Sequence, residues 1–164
     1  MERDVKGLTA NRLRLYLFGD HRFTGARTNY YALQNSDLNY VLDTGKGNPI
    51  SLCLIFQLVA IRLELGVSAC NYPGNFLSRI SISGSPHLVD CYNMGRLTSV
   101  DALLKEGKNL SEKVKYVILT ESSPRVILHR VLRNMEQAFL KKNEMEDAIS
   151  VSYTHLTLPT ICSV

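Results

Sequence analysis

The sequence predicts an α+β domain in which a buried central helix lies against an antiparallel sheet, followed by the start of a C-terminal helical hairpin. Three observations predict it. Ile50 to Leu65 runs without a helix breaker and is apolar on nearly every face. From Val67 to Asp90 the apolar period changes from helical to extended, and beyond Ser123 it returns to three- and four-residue steps. One long helix followed by sequential strands segregates into a helix layer and a sheet layer.

The elements follow in order. Tyr30-Tyr31 leads into Asn35 to Leu42, a short helix with capping residues at its start and Leu38, Val41 and Leu42 on one side. It ends at Thr44-Gly45-Lys46-Gly47. Asn48 then caps the central helix, Pro49 takes the first helical position, and Gly66 supplies the stop. The spread of its apolar residues is that of a helix buried on most sides. At roughly 1.5–3 kcal/mol per buried Leu or Ile, it anchors the core. Val67 to Tyr72 and Phe76 to Ser83 read as strands, with Phe76, Ser78, Ile80 and Ile82 sharing a face. Gly84-Ser85-Pro86 turns the chain into His87 to Asp90, which makes a hairpin. Thr98 caps a brief helix from Ser99 to Glu106, closed by Gly107.

Ser123-Pro124 opens another helix, on which Leu128, Val131, Leu132, Met135, Ala138 and Phe139 recur at helical spacing. Lys141-Lys142-Asn143 breaks it, and Met145 to Ile149 starts a second. Periodicity alone leaves two readings open. One is the opening of a tetratricopeptide repeat, a helix pair of about 34 residues that needs stacked neighbours. The other is a plain amphipathic helix covering the sheet. The final run, Val151 to Thr160, resembles one reading frame of a transposon adaptor used in sequencing libraries, with Ile161-Cys162-Ser163 as a variable index. As natural sequence it would read as a short edge strand, since Val151, Tyr153 and His155 alternate with smaller residues. The expected organisation is a core over residues 1–121, a truncated helix pair over 122–150, and a non-native tail over 151–164.

Composition narrows the function. With 164 residues, 45% apolar and 21% charged, the chain is an ordinary globular one and can bury a core. Its net charge of +4 is spread without a Lys/Arg block or interleaved aromatics, which excludes a nucleic-acid footprint. Met1 to Lys6 carries both signs of charge and no apolar run follows, so no secretory signal is expected. The longest apolar stretch, Leu52 to Ile61, is interrupted by Gln57 and is about half of the roughly 20 residues a membrane span requires. The expectation is a cytoplasmic protein without membrane partners. Cys53, Cys70, Cys91 and Cys162 form no CxxC and have no His at ligand spacing, so neither a metal site nor another cofactor is expected.

Several separate stretches, in one order and spacing, resemble the SirB family, a bacterial transglutaminase-like family. They are Phe18-Gly19 through Arg22-Phe23-Thr24-Gly25, Asn29-Tyr30-Tyr31, Asn35 to Asn39 with Val41-Leu42, and Gly47-Asn48-Pro49-Ile50-Ser51-Leu52. Asn71 to Leu77, Val89-Asp90 and Gly95-Arg96-Leu97 continue the series, and Ser123-Pro124-Arg125 with Ile127-Leu128, Arg130, Leu132 and Asn134 is similar to its repeat region. The resemblance spans residues 18 to 149 and favours the tetratricopeptide reading. It implies a transglutaminase-like, papain-related core, and marks the chain as a bacterial metagenomic fragment, truncated at the tail and with Met1 a candidate late start.

The resemblance also implies a site. In the superfamily a nucleophile starts the central helix, a His lies on a following strand, and an Asp on the next strand orients it. The matching positions are Ser51, Asn75 and Asp90. A helix N-terminus stabilises a thiolate or oxyanion, but a serine hydroxyl is hardly ionised near neutrality and needs a base. The family motif Pro-Gly-His-Phe reads Pro73-Gly74-Asn75-Phe76 here. An amide cannot shuttle a proton, and losing general acid–base help costs about 10²–10⁴-fold. Possible substitutes are Cys53, which the helix turns about 200° from Ser51 and whose favoured reading is a small core residue, and His87, whose favoured reading is an exposed hairpin-end residue. His21 and His129 match no catalytic position. Asn35, Asn39 and Pro49 shape the cleft. The sequence thus predicts a non-catalytic transglutaminase-like module that binds a protein partner through its C-terminal helices. The alternative is an acyl-transfer or amide-hydrolysing enzyme using Ser51 or Cys53 with an unconventional base.

Overall fold

The structure, a computed structural model, describes residues 2–20, 22–107 and 110–161, with side chains described within residues 5–154. His21 and Cys162 lie outside the described residues. The chain opens with α1 (Glu2–Arg14), which runs into a π-helical turn at Leu15–Gly19. Ala10, Leu13, Leu17 and Phe18 form its buried side. A Cβ on Gly7 would come within 2.6 Å of the Ser83 backbone nitrogen, so a glycine is what lets α1 approach the hairpin turn so closely.

Thr24–Gly25 (β1) and Lys46–Gly47 (β2) pair in parallel, flanking a 3₁₀ turn at Leu33–Ser36 and α2 (Leu38–Thr44). The Asp37 side chain caps α2 and Gly45 ends it in the left-handed conformation. Val41 is buried but Leu42 is exposed, because α2 docks through one narrow edge rather than the wider face expected.

The central helix, α3 (Pro49–Arg62), starts as the sequence predicts: the Asn48 side-chain oxygen accepts from the N–H groups of Ile50 and Ser51, at 3.0 and 2.9 Å, with Pro49 in the first turn. It ends three residues earlier than Gly66 would dictate. Glu64 takes the left-handed conformation (φ 56°), and the Leu65 and Glu64 N–H groups bond back to Ala60 and Ile61 in a Schellman closure. The burial pattern differs too. Leu58, Ile61 and Leu63 are exposed, so only the first half of α3 is enclosed on most sides, Leu54 still packing partly buried against the core.

A four-stranded antiparallel meander follows: β3 (Val67–Cys70), β4 (Leu77–Ile82), β5 (Ser85–Asp90) and β6 (Arg96–Ser99). The expected hairpin is β4–β5, joined by Ser83-Gly84, both at positive φ, as a two-residue turn requires. Thr98 belongs to β6, so Ser99, and not Thr98, caps α4 (Val100–Glu106). The pleat divides the core in two. Ala69, Phe76, Ile80, Val89 and Cys91 pack with α1 and α3 on one face. Cys70, Leu77 and Leu88 pack on the other with α4 and α5 (Glu112–Leu119), through Val100 and Ile118. Arg79 ties α5 to the sheet, its guanidinium donating to the carbonyls of Val117, Ile118 and Thr120 at the helix C-terminus.

Ser123 caps α6 (Pro124–Lys141), which docks on the larger core through Ile127 and Val131 and pairs with α7 (Met145–Ile161), burying Ala138 and Ala148. Residues 151–161 continue α7 as helix rather than forming an edge strand.

Candidate functional site

Two neighbouring constellations hold the residues that sequence reasoning singled out. The first is the N-terminus of α3. Ser51 is 1% exposed, and its hydroxyl donates to the Asn48 carbonyl at 3.1 Å. Its oxygen lies against Gly47, where a Cβ would come within 2.6 Å of it. Both ends of the Asn48 amide are engaged, since its side-chain NH₂ donates to the Ser36 hydroxyl at 2.9 Å while its oxygen caps the helix. Pro49 is buried in the first turn. Two residues on, the Cys53 thiol points at the sheet and donates to the Phe76 carbonyl at 3.4 Å, with no exposure to solvent. Cys91 is its neighbour and is also sealed. Burial first, then the adjoining Cys53, pushes the Cys91 thiol well above its ordinary range, and burial also raises Cys70. Gln57 and Ser78 complete this buried polar seam, joined at 3.0 Å.

The second constellation surrounds Asp90, on the sheet face covered by α4 and α5. The Asn75 NH₂ donates to Asp90 Oδ2 at 3.4 Å, and the Asn75 oxygen accepts from the Phe76 N–H at 2.9 Å. Those two bonds fix the orientation of the amide. Asp90 also accepts from the backbone and side chain of Asn93, at 3.1 and 2.8 Å, and pairs with Arg96 at 3.5 Å. It therefore shapes the β5–β6 loop as well as holding Asn75. Asn75, Asp90 and Arg96 line a cavity of about 170 Å³ to which Ser51 does not contribute. The structure brings Asn75 and Asp90 together, and neither is a hydrogen-bond partner of Ser51.

The other candidates disperse. His87 uses its Nδ1 on the Ser85 carbonyl at 2.9 Å, and lies three residues, about 10 Å, along β5 from Asp90 and on the opposite face of the strand. Asn35 is buried and donates to the Asn29 and Tyr30 carbonyls, holding the loop beside the α3 N-terminus. Asn39 contributes its backbone N–H to the Asp37 cap, and its side chain is exposed. Among the described residues no three His, Cys, Asp or Glu side chains converge as metal ligands, and no helix is long and apolar enough to cross a membrane. Sequence reasoning missed Arg79, whose partners lie about 40 residues away and are set by how α5 meets the sheet, and Asn93, for which the Asp90–Asn93 spacing of an Asx-type turn was an available signal.

The fold alone, a capped central helix on an antiparallel meander with an amide–carboxylate pair at adjacent strand ends, is consistent with more than one lineage. The model of the transglutaminase-like superfamily matches residues 2–133. The chain belongs to that superfamily. The transglutaminase-like chain is similar to a UPF0162 protein of Xylella fastidiosa strain 9a5c, 32% identical over 139 residues that cover 81% of this chain and 50% of the relative. It is also similar to the UPF0162 protein YchA of Escherichia coli strain K12, 26% identical over 144 residues covering 86% and 54%. F-box only protein 21 of Mus musculus is 28% identical over 113 residues, covering 69% of this chain and 17% of that protein. The chain spans about half the length of the curated bacterial relatives it matches. No solved structure shows significant similarity to it.

Proposed function

We propose that this chain is a non-catalytic, SirB-type transglutaminase-like domain that works in the cytoplasm as a protein-binding or regulatory module. Asn75 carries the reading. It occupies the position where the superfamily's imidazole is expected, and its amide is held by Asp90 and the Phe76 N–H, a group that positions but cannot accept and return a proton. The seal around Ser51 supports the same conclusion, since the side chain is 1% exposed and its hydroxyl is spent on the Asn48 carbonyl. The helix pair α6–α7, with exposed Leu128, Leu140, Met145 and Ile149, supports partner binding through a tetratricopeptide-like surface. Residues 151–164 are read as adaptor-derived on their sequence, although α7 continues into them.

The test is labelling of the purified chain with serine- and cysteine-directed acylating probes, read by peptide mass spectrometry. No modification at Ser51 or Cys53 is expected. Labelling at either that disappears on Ser51→Ala or Cys53→Ala overturns the reading in favour of an enzyme with an unconventional base.

A further inference from the structure

A cavity of about 460 Å³ near the α3 N-terminus lies between the Tyr30-Tyr31 loop and one face of α6. This is within the size range of sites for small ligands and short peptide segments. Its α6 wall carries Arg130 and Arg133, three residues apart and so on one side of the helix, followed by the amides of Asn134 and Gln137. Among the described residues no carboxylate lines it. Arg130 spends one donor on the Asn71 side-chain oxygen at 3.3 Å and keeps the rest of its fork. Arg133 is exposed at the mouth. Lys141 adds a further cation, its amine 5.4 Å from the centre of the Tyr31 ring. Tyr30 and Tyr31 pack edge to face at 5.0 Å and form a firm aromatic wall opposite the guanidinium groups. Two planar forks facing an aromatic wall, with no internal counter-charge, match carboxylates carried on a short extended segment.

We propose that this cleft binds an acidic peptide segment of a partner protein, with carboxylates taken by Arg130 and Arg133 and the intervening chain lying on Tyr30 and Tyr31. The proposal rests on the reading of the domain as a protein-binding module, and names the chemistry of what it binds.

The experiment uses the full 164-residue chain and two fluorescein-labelled tetrapeptides, Glu₄ and Gln₄, followed by fluorescence polarisation at low and physiological salt. Glu₄ is expected to bind and Gln₄ not to, with affinity falling as salt rises. Arg133→Gln is expected to weaken Glu₄ binding at least about ten-fold, whereas Arg62→Gln, on the exposed end of α3, leaves it unchanged. Because Arg133 is exposed, the variant is expected to keep the wild-type Tm, which checks that folding is intact. Inorganic phosphate competing as strongly as free Glu₄ would overturn the peptide assignment in favour of a general anion site. Absence of Glu₄ binding, or equal losses in Arg133→Gln and Arg62→Gln, would overturn the cleft altogether. The two proposals fail separately: probe labelling at Ser51 with Glu₄ binding intact sinks only the non-catalytic reading, and lost binding without labelling sinks only the cleft.

Discussion

The two faces of the four-stranded sheet treat their polar groups in opposite ways. Towards α3, Ser51, Cys53, Gln57, Ser78 and Cys91 are all buried, and each hydroxyl, thiol or amide has a partner within the core. Towards α4, Asp90 keeps its carboxylate beside a small cavity, where Asn75, Asn93 and a largely exposed Arg96 gather round it. One face thus holds nucleophile-type groups that are buried. The other has a charged orienting group whose partner is an amide. On the proposed non-catalytic reading, this division makes the superfamily's site positions hold a scaffold together instead of a reaction centre.

The division can be stressed from either side. The largest effect is expected on the α3 face, where Phe56 is fully buried and packs 6.0 Å from the Phe18 ring. Phe56→Ala should cost about 3–5 kcal/mol in urea unfolding, and a loss under about 1 kcal/mol would mean that α3 is not the anchor of the core. Next comes a matched pair. Ser78→Ala strands the buried Gln57 amide and should cost about 1–3 kcal/mol, whereas Arg96→Ala removes a guanidinium that is 72% exposed and should stay within about 1 kcal/mol. Equal costs would erase the contrast between the faces.

The smallest effect is a pH dependence. Cys91 keeps its proton in the folded chain beyond the range where an ordinary thiol loses it. The stability from that difference is fully present below the unfolded thiol's pKa, about 8.5. It is lost as pH rises further, by at most about 1.4 kcal/mol per pH unit. Cys91→Ala should flatten the decline between about pH 8.5 and 9.5. An unchanged slope would assign it to Cys70 and the raised tyrosines Tyr30 and Tyr92.

What could be read from the sequence was what local chemistry encodes. Asn48-Pro49 announces the start of α3 because cap and first turn are adjacent residues, and Gly84 marks the hairpin for the same reason, although the turn is Ser83-Gly84 and Ser85-Pro86 already belong to β5. The end of α3 was misplaced because glycine is the usual left-handed residue, and here Glu64 takes that conformation two positions before Gly66. β6 is four residues long and runs straight into the α4 cap, so its strand period never repeats. α1 and α5 went unread, since α5 is held partly by Arg79, about 40 residues away in sequence. At the site, the positions came from family resemblance, and their surroundings did not. The meeting of Cys53 with Cys91, 38 residues apart, has no trace in the sequence near those residues.

Restoring the missing imidazole tests the division between the two faces most directly. Asn75→His should give a histidine that pairs with Asp90 and titrates above the ordinary range of about 6.5 by NMR, while the acylating probes still leave Ser51 unmodified because its hydroxyl stays sealed against Asn48. Ser51 acylation appearing in that variant, and vanishing again in the double variant with Ser51→Ala, would contradict the division: the two faces would then form one reaction centre in which Asn75 alone is the defect.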